Sequence, residues 1–261
     1  MSERRRPTKA ERKEQARLDR ERIRREMAKR RRRRWVGIAL VIIAVAGVGV
    51  AGVLVNRSAD LPDPASLLSQ ATGAAEAAGC AQTEVIGPYL GVADPSAPGF
   101  ADQTHLDPTG AFPALPALET YPSVPPTSGP HDPSPLRFGV YSTPPPIERV
   151  LHSLEHGAVA IWHAPDAAPD EITRITDFFE RTDAAVGGSK VIVAPYDYPD
   201  QGAAGRLPNG VGMALVAWHR LQTCASPSLP VAFDFTARLA SAPNDVDVAY
   251  EGEAPEPTAG I

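Results

Sequence analysis

The chain has 261 residues, of which 43% are hydrophobic and 22% charged, and a net charge of −5. Neither end has the composition of a packed domain, so one folded unit of about 160–180 residues is expected, enough for a core. The small net charge hides a partition, +11 over residues 1–34 against −17 over residues 58–261, which argues against a chain confined to one compartment.

In chain order, residues 1–34 form a basic tail with a capping-box pair at Thr8 and Glu11 and i,i+4 pairs at Glu21/Arg25 and Glu26/Arg30. The tail reads first as a topology signal; contact with anionic lipid is the further use of such charge. No aromatics are interleaved to stack bases, so no nucleic-acid partner is expected. Residues 35–55 (WVGIALVIIAVAGVGVAGVLV) carry no charge and at 1.5 Å per residue are long enough to cross the lipid bilayer as one helix. Arg30–Arg34 abut one end and only Arg57 lies just past the other, which orients the tail to the cytoplasm and the acidic remainder outside the cell membrane. A cleaved signal peptide is the rival reading, disfavoured by the length of the run and by Arg57 near the best cleavage point.

Residues 56–79 read as a linker and a short helix that begins at Asp63-Pro64, a cap followed by proline at the first helical position. The main domain is expected over residues 80–241. Thr83 to Leu90 reads as a strand. Gly91 to Ser134 is rich in Pro, Gly and Asp without a sustained period; Phe100, Phe112 and Tyr121 argue that this long loop is ordered. Then follow a strand from Leu136 to Tyr141, a helix from Ile147 to His156 and a buried strand from Ala158 to His163. An amphipathic helix spans Pro169 to Thr182, with strands at Lys190 to Ala194 and Gly212 to Leu221 and a last helix from Leu229 to Ala240. The order predicts a small layered α+β domain with a mixed sheet. It also occurs in thioredoxin-like folds, but the CxxC pair is absent. Residues 242–261 read as an acidic, mostly unpacked tail.

Cys80 and Cys224 fall in the outer part, where an oxidising environment favours a disulfide; two buried thiols are the other reading. Closing so long a loop stabilises by roughly 3–5 kcal/mol in the chain-entropy account.

The chemistry concentrates in Leu151 to Gly157 (LHSLEHG). On a helix His152 and His156 lie one turn apart on one face with Glu155 beside them, the spacing that lets two imidazoles reach one metal. The string H-x-x-E-H also matches a zinc-peptidase pattern with the glutamate as base. That chemistry needs a further acidic ligand downstream, and no glutamate occurs between Glu180 and Glu251. His131, on a loop stiffened by three prolines (PPTSGPH, 125–131), completes a candidate set of His131, His152, His156, Glu155 and His105 for copper or zinc, with Met213 as a further candidate. The competing reading is a non-catalytic envelope module in which the His/Glu cluster braces the Pro-rich loop, with Glu155 accepting backbone amides. No residue is assigned a catalytic role, since neither a G-x-S-x-G elbow nor a phosphate-binding glycine loop occurs.

PPTSGPH (125–131), GVY (139–141) and HSLEHGAV (152–159), with AW at 217–218 and APE at 254–256, resemble the family called domain of unknown function 3105, over about Cys80 to Glu256. The resemblance implies a membrane-anchored or secreted protein of a kind common in actinobacteria and supports the focus on His131, His152, Glu155 and His156; it implies no activity. Trp162-His163 departs from the plainer strand end expected there, which makes His163 the weakest ligand candidate.

Overall fold

Val159–His163 (VAIWH, β3) and Val191–Pro195 (VIVAP, β4) are apolar on both faces, the pattern of strands covered on both sides. The computed structural model describes residues 61–91, 101–186, 190–242 and 248–259, and in it these two strands pair in parallel near the middle of a six-stranded mixed sheet. The other strands are Glu84–Val85 (β1), Gly139–Val140 (β2), Met213–Ala217 (β5) and Arg220–Cys224 (β6). Their order across the sheet is β1-β6-β5-β3-β4-β2. β2 and β4 are parallel, whereas β3/β5, β5/β6 and β6/β1 are antiparallel. The expected α+β class with a mixed sheet is therefore present.

The helices are Pro64–Ala77 (α1), Ile147–Glu155 (α2), Pro169–Val186 (α3) and Leu229–Leu239 (α4). Strand residues alternate between faces. Ala160, Trp162, Ile192, Ala194, Ala214 and Val216 join the cluster containing Ile147, Val150, Leu151 and Leu154 of α2 with Tyr89, Leu118 and Tyr121 of the loops. The alternate residues, among them Ile161, Val193 and Leu215, are equally buried and point to the other face, where α4 touches β3 and β5. Burial of each large apolar side chain contributes about 1.5–3 kcal/mol.

Several elements depart from the expected bounds. The strand expected over Thr83 to Leu90 shortens to two residues at the sheet edge, and that over Leu136 to Tyr141 to Gly139–Val140. The strand expected over Gly212 to Leu221 is a hairpin, β5 and β6, turning at Trp218-His219 with His219 at φ +56°. Tight hairpin turns usually announce themselves with Asn-Gly or Asp-Gly, and this one does not. The first helix belongs to the fold rather than to a linker: Asp63 caps it by accepting from the Ser66 amide (2.9 Å), and it packs on α4. The long loop is ordered over its described part, with Phe112 and Tyr121 packed around the Tyr89 ring.

The acidic terminal segment is also packed. The Lys190 ammonium donates to the carbonyls of His156 (2.8 Å), Pro257 (2.8 Å) and Ala259 (3.2 Å) and to Ser241 Oγ (3.1 Å). Arg220 pairs with Glu253, and the Glu256 amide donates to the Glu155 carbonyl (3.0 Å). Composition suggests an unpacked tail because acidic residues, Pro and Gly lack apolar area; here backbone carbonyls supply the attachment.

Cys80 and Cys224 form the disulfide, joining the end of α1 to the end of β6 across 144 residues. On chain entropy alone a closure of that length contributes about 5 kcal/mol. Cys80→Ala/Cys224→Ala is expected to lower unfolding free energy by about 2–5 kcal/mol, read as a fall in urea midpoint with a steeper slope, since the unfolded chain without its cross-link exposes more surface; an unmoved midpoint would show that the bridge contributes nothing. Among the described residues no helix is long and apolar enough to cross a membrane, and the expected span, residues 35–55, lies outside them, as does the basic tail.

Candidate metal centre

Helix α2 buries its polar side as well as its apolar side: His152, Ser153 and Glu155 are buried along with Val150, Leu151 and Leu154. Buried polar groups require partners, and the loop before the helix supplies them. The Asp132 amide donates to the Glu148 carbonyl (3.1 Å), and the Leu136 amide reaches both the Arg149 carbonyl (3.1 Å) and Ser153 Oγ (2.9 Å). Arg149 Nη2 in turn donates to the Pro135 carbonyl (2.7 Å). Residues 132–136 are thereby fastened along α2, which sets His131 against it.

A second brace is Asp102, a carboxylate only 4% exposed. It accepts the Tyr89 amide (2.8 Å), the Ser128 hydroxyl and His219 Nε2 (2.7 Å), and its own carbonyl accepts the Gly129 amide (3.1 Å). Gly129 has φ +127°, and a Cβ there would collide with the Tyr121 ring, so this turn demands glycine. The same loop carries His105: the His131 amide donates to the Thr104 carbonyl (3.0 Å) and the Leu106 amide to the His131 carbonyl (2.7 Å). Two loop segments and one helix thus meet at one point.

At that point the ligand atoms of His105, His131, His152 and Glu155 lie within 4.8 Å of one another. The ring centroids of His105, His131 and His152 are 4.9–5.0 Å apart. A carbonyl can only accept, so the contacts from His131 Nδ1 to the Gly129 carbonyl (2.8 Å) and from His152 Nδ1 to the Asp132 carbonyl (2.6 Å) place a proton on each Nδ1. In the neutral rings both Nε2 atoms then carry lone pairs. That of His152 lies 3.0 Å from His156 Nε2, which can donate to it. That of His131 is fully buried, has no hydrogen-bond partner, and faces Glu155 Oε2 at 3.0 Å. A lone pair against a carboxylate is repulsive; a proton or a cation between them makes the contact favourable. Imidazoles anchored by Nδ1–H to backbone carbonyls, with Nε2 turned inward, are arranged as metal ligands commonly are.

Four of the five sequence candidates therefore converge. His156 does not join that group. The helix ends at Glu155, leaving His156 as its cap, and Gly157 follows at φ +79° with Ser241 packed where a Cβ would stand. The His156 ring neighbours His152 and pairs with Glu256 (3.3 Å) on the terminal segment. The His152 and His156 Nε2 atoms stay 3.0 Å apart, but the peptidase reading needs a further acidic ligand, and the four-residue group holds no second acid. His163 sits on the strand face away from α2, with Nδ1 donating to the Ala164 carbonyl (3.1 Å). Met213 is on that same far face, alternating with Ala214. Ser128 bonds to Asp102, the carboxylate lying between it and His219, so no serine–histidine pair forms. No backbone amide donates to the Glu155 carboxylate among the described residues; its partners are imidazoles.

Asp102, His219, Lys190 and Glu256 escaped the sequence reading. The only available signal was AW followed by His219, and APE, in the motifs quoted above.

Burial holds the His163 imidazole below the ordinary value of 6.5 against an opposing bond to Ala164. Burial does the same at His152, with the neighbouring imidazoles adding to it and the Asp132 carbonyl opposing. Both rings are lowered on folding, so the unfolded chain takes up protons first. The stability they contribute is present above about 6.5 and is lost as the pH falls below it. Urea midpoints measured in chelator at pH 7.5 and 5.5 are expected to be lower at 5.5; equal midpoints would contradict the shifts.

No curated protein and no solved structure matches the chain. The family described as "Protein of unknown function (DUF3105)" matches residues 118–254, a span that holds His131, His152, Glu155 and β2 to β6. On that match the chain belongs to this family.

Proposed function

We propose that this is a single-pass membrane protein, N-terminus inside, whose extracytoplasmic domain binds a transition metal through His105, His131, His152 and Glu155. The membrane part rests on the uncharged run 35–55, the arginines before it and the acidic sequence after it. The proposed divisions are a basic cytoplasmic tail (1–34), the span (35–55), and an outer domain that starts with α1.

The observation that carries the metal reading is His131 Nε2: wholly buried, without a hydrogen bond, 3.0 Å from a carboxylate oxygen. A tetrahedral zinc site has donor atoms about 3.3–3.4 Å apart, within the observed spread from 3.0 Å to 4.8 Å. Three imidazoles and a carboxylate without a thioether suit Zn²⁺ or Cu²⁺ better than Cu⁺. Equilibrium dialysis of the full chain in detergent, followed by elemental analysis, is expected to return one zinc or copper ion per chain, abolished in His131→Ala/His152→Ala. Absence of bound metal removes the reading.

The bracing alternative has its own support in the same 3.0 Å contact, which a doubly protonated His131 would turn into a buried ion pair with Glu155. Under it, thermal stability responds equally to mutation with and without chelator.

A further inference from the structure

The four donors are not held alike. His131 is wholly buried and His152 nearly so, and each is locked by its Nδ1 bond to a carbonyl. Glu155 closes the last turn of α2 with 6% of its side chain exposed. His105 differs in every respect. Its side chain is 50% exposed, its Nε2 stands farther from Glu155 (4.0 Å, against 3.0 Å for His131), and its ring makes no hydrogen bond to another described residue. It is held in place by stacking on His152, with ring planes 12° apart, and by its edge contact with His131. Ligands with a hydrogen-bonded outer partner are oriented and retained; a ligand without one is released more readily, by a factor of about 10–100 in affinity.

We propose, resting on the metal reading above, that the bound ion is cargo and that His105 is the exchange ligand. In this scheme three fixed donors hold the ion from within, and an incoming nitrogen or oxygen donor from solution replaces His105 at the exposed side. One metal–nitrogen bond breaks as the bond to the incoming donor forms. The His105 Nε2 retains its electron pair, the ion keeps its oxidation state, and no other reactant is needed. A structural site, closed on all sides, has no use for a donor so exposed and so loosely held. The fixed trio explains selectivity, and the rim histidine explains access.

The test uses the full chain loaded with Zn²⁺ and mixed in stopped flow with increasing concentrations of an aminocarboxylate chelator that changes absorbance on binding zinc. Attack at an open side makes the transfer rate rise in proportion to chelator concentration. His105→Ala, with circular dichroism as the check that its fold matches the wild type, is expected to transfer about ten times faster at equal chelator while still taking up zinc on the three remaining donors. A rate that does not change with chelator concentration and is the same in His105→Ala would mean that the ion leaves only when the fold opens, and would overturn the proposal while leaving the metal site standing. A chain that takes up no zinc in the first place would overturn both readings.

Discussion

Replacing His131 with alanine is expected to lower zinc affinity by roughly 10²–10³-fold. Four-ligand zinc sites bind with about 10–16 kcal/mol in total, so an average ligand accounts for about 2.5–4 kcal/mol. His131 is the most enclosed of the four, anchored to the Gly129 carbonyl and packed edge-on to Trp218 with ring centroids 6.5 Å apart. The measurement is competition against a chelator of known affinity, with melting temperature followed in parallel. A ligand that binds only the folded state stabilises it by mass action, so chelator should lower the melting temperature of the wild type by more than that of His131→Ala. If chelator shifts neither protein, the ring serves as a brace and not as a ligand. The nearness of Trp218 offers a second readout, since Cu²⁺ bound at His131 should quench its fluorescence.

The second large effect is expected at a residue that touches no metal. Asp102→Ala leaves three buried or half-buried donors, the Tyr89 amide, the Ser128 hydroxyl and His219 Nε2, without their common acceptor. Removing one partner from a buried charged network costs about 3–5 kcal/mol, because the stranded groups have given up water and received nothing. Asp102→Asn keeps one acceptor oxygen and is expected to lose less, about half as much. Urea denaturation with the disulfide intact measures both. Because the Asp102 carbonyl also holds the Gly129 amide, two residues before His131, the alanine variant should bind zinc more weakly as well. An alanine variant within 1 kcal/mol of wild type would show that the loops are held by something else.

Much of this fold could be read from periodicity, and its failures have physical causes. The buried strands Val159–His163 and Val191–Pro195, and the helices with an apolar stripe, announce themselves because each buries a large area in a regular spacing. β1 and β2 bury little and are two residues long, so a pattern of two carries no period. The hairpin was invisible because its turn, Trp218-His219, is made of residues that do not ordinarily adopt a left-handed conformation; His219 does so, and its ring bonds Asp102. At the site, the helical spacing of His152 and Glu155 was legible, and so was the stiffness of the proline loop bearing His131. What spacing could not show was where the helix stops. One residue's difference, Glu155 as the last helical residue and His156 as the cap, leaves the fourth imidazole outside the four-donor group, between His152 and Glu256. Asp102 lay in a stretch where acidic residues are common and nothing distinguishes a structural hub from a solvated charge.

The Lys190 ammonium has a consequence for how the molecule tolerates shortening. One cation gathers oxygens from three places far apart in the chain, the cap of α2, Ser241 and the stretch after Glu256, so residues 257–259 act as a buckle and not as trailing thread. Burial already pulls that ammonium below the ordinary lysine range, and carbonyl oxygens stand where the water it gave up would be. Chains trimmed ahead of Pro257 would leave the cation short of those oxygens beside the very turn that ends the helix carrying Glu155, and the loosening would be felt at the histidines before it was felt in the sheet.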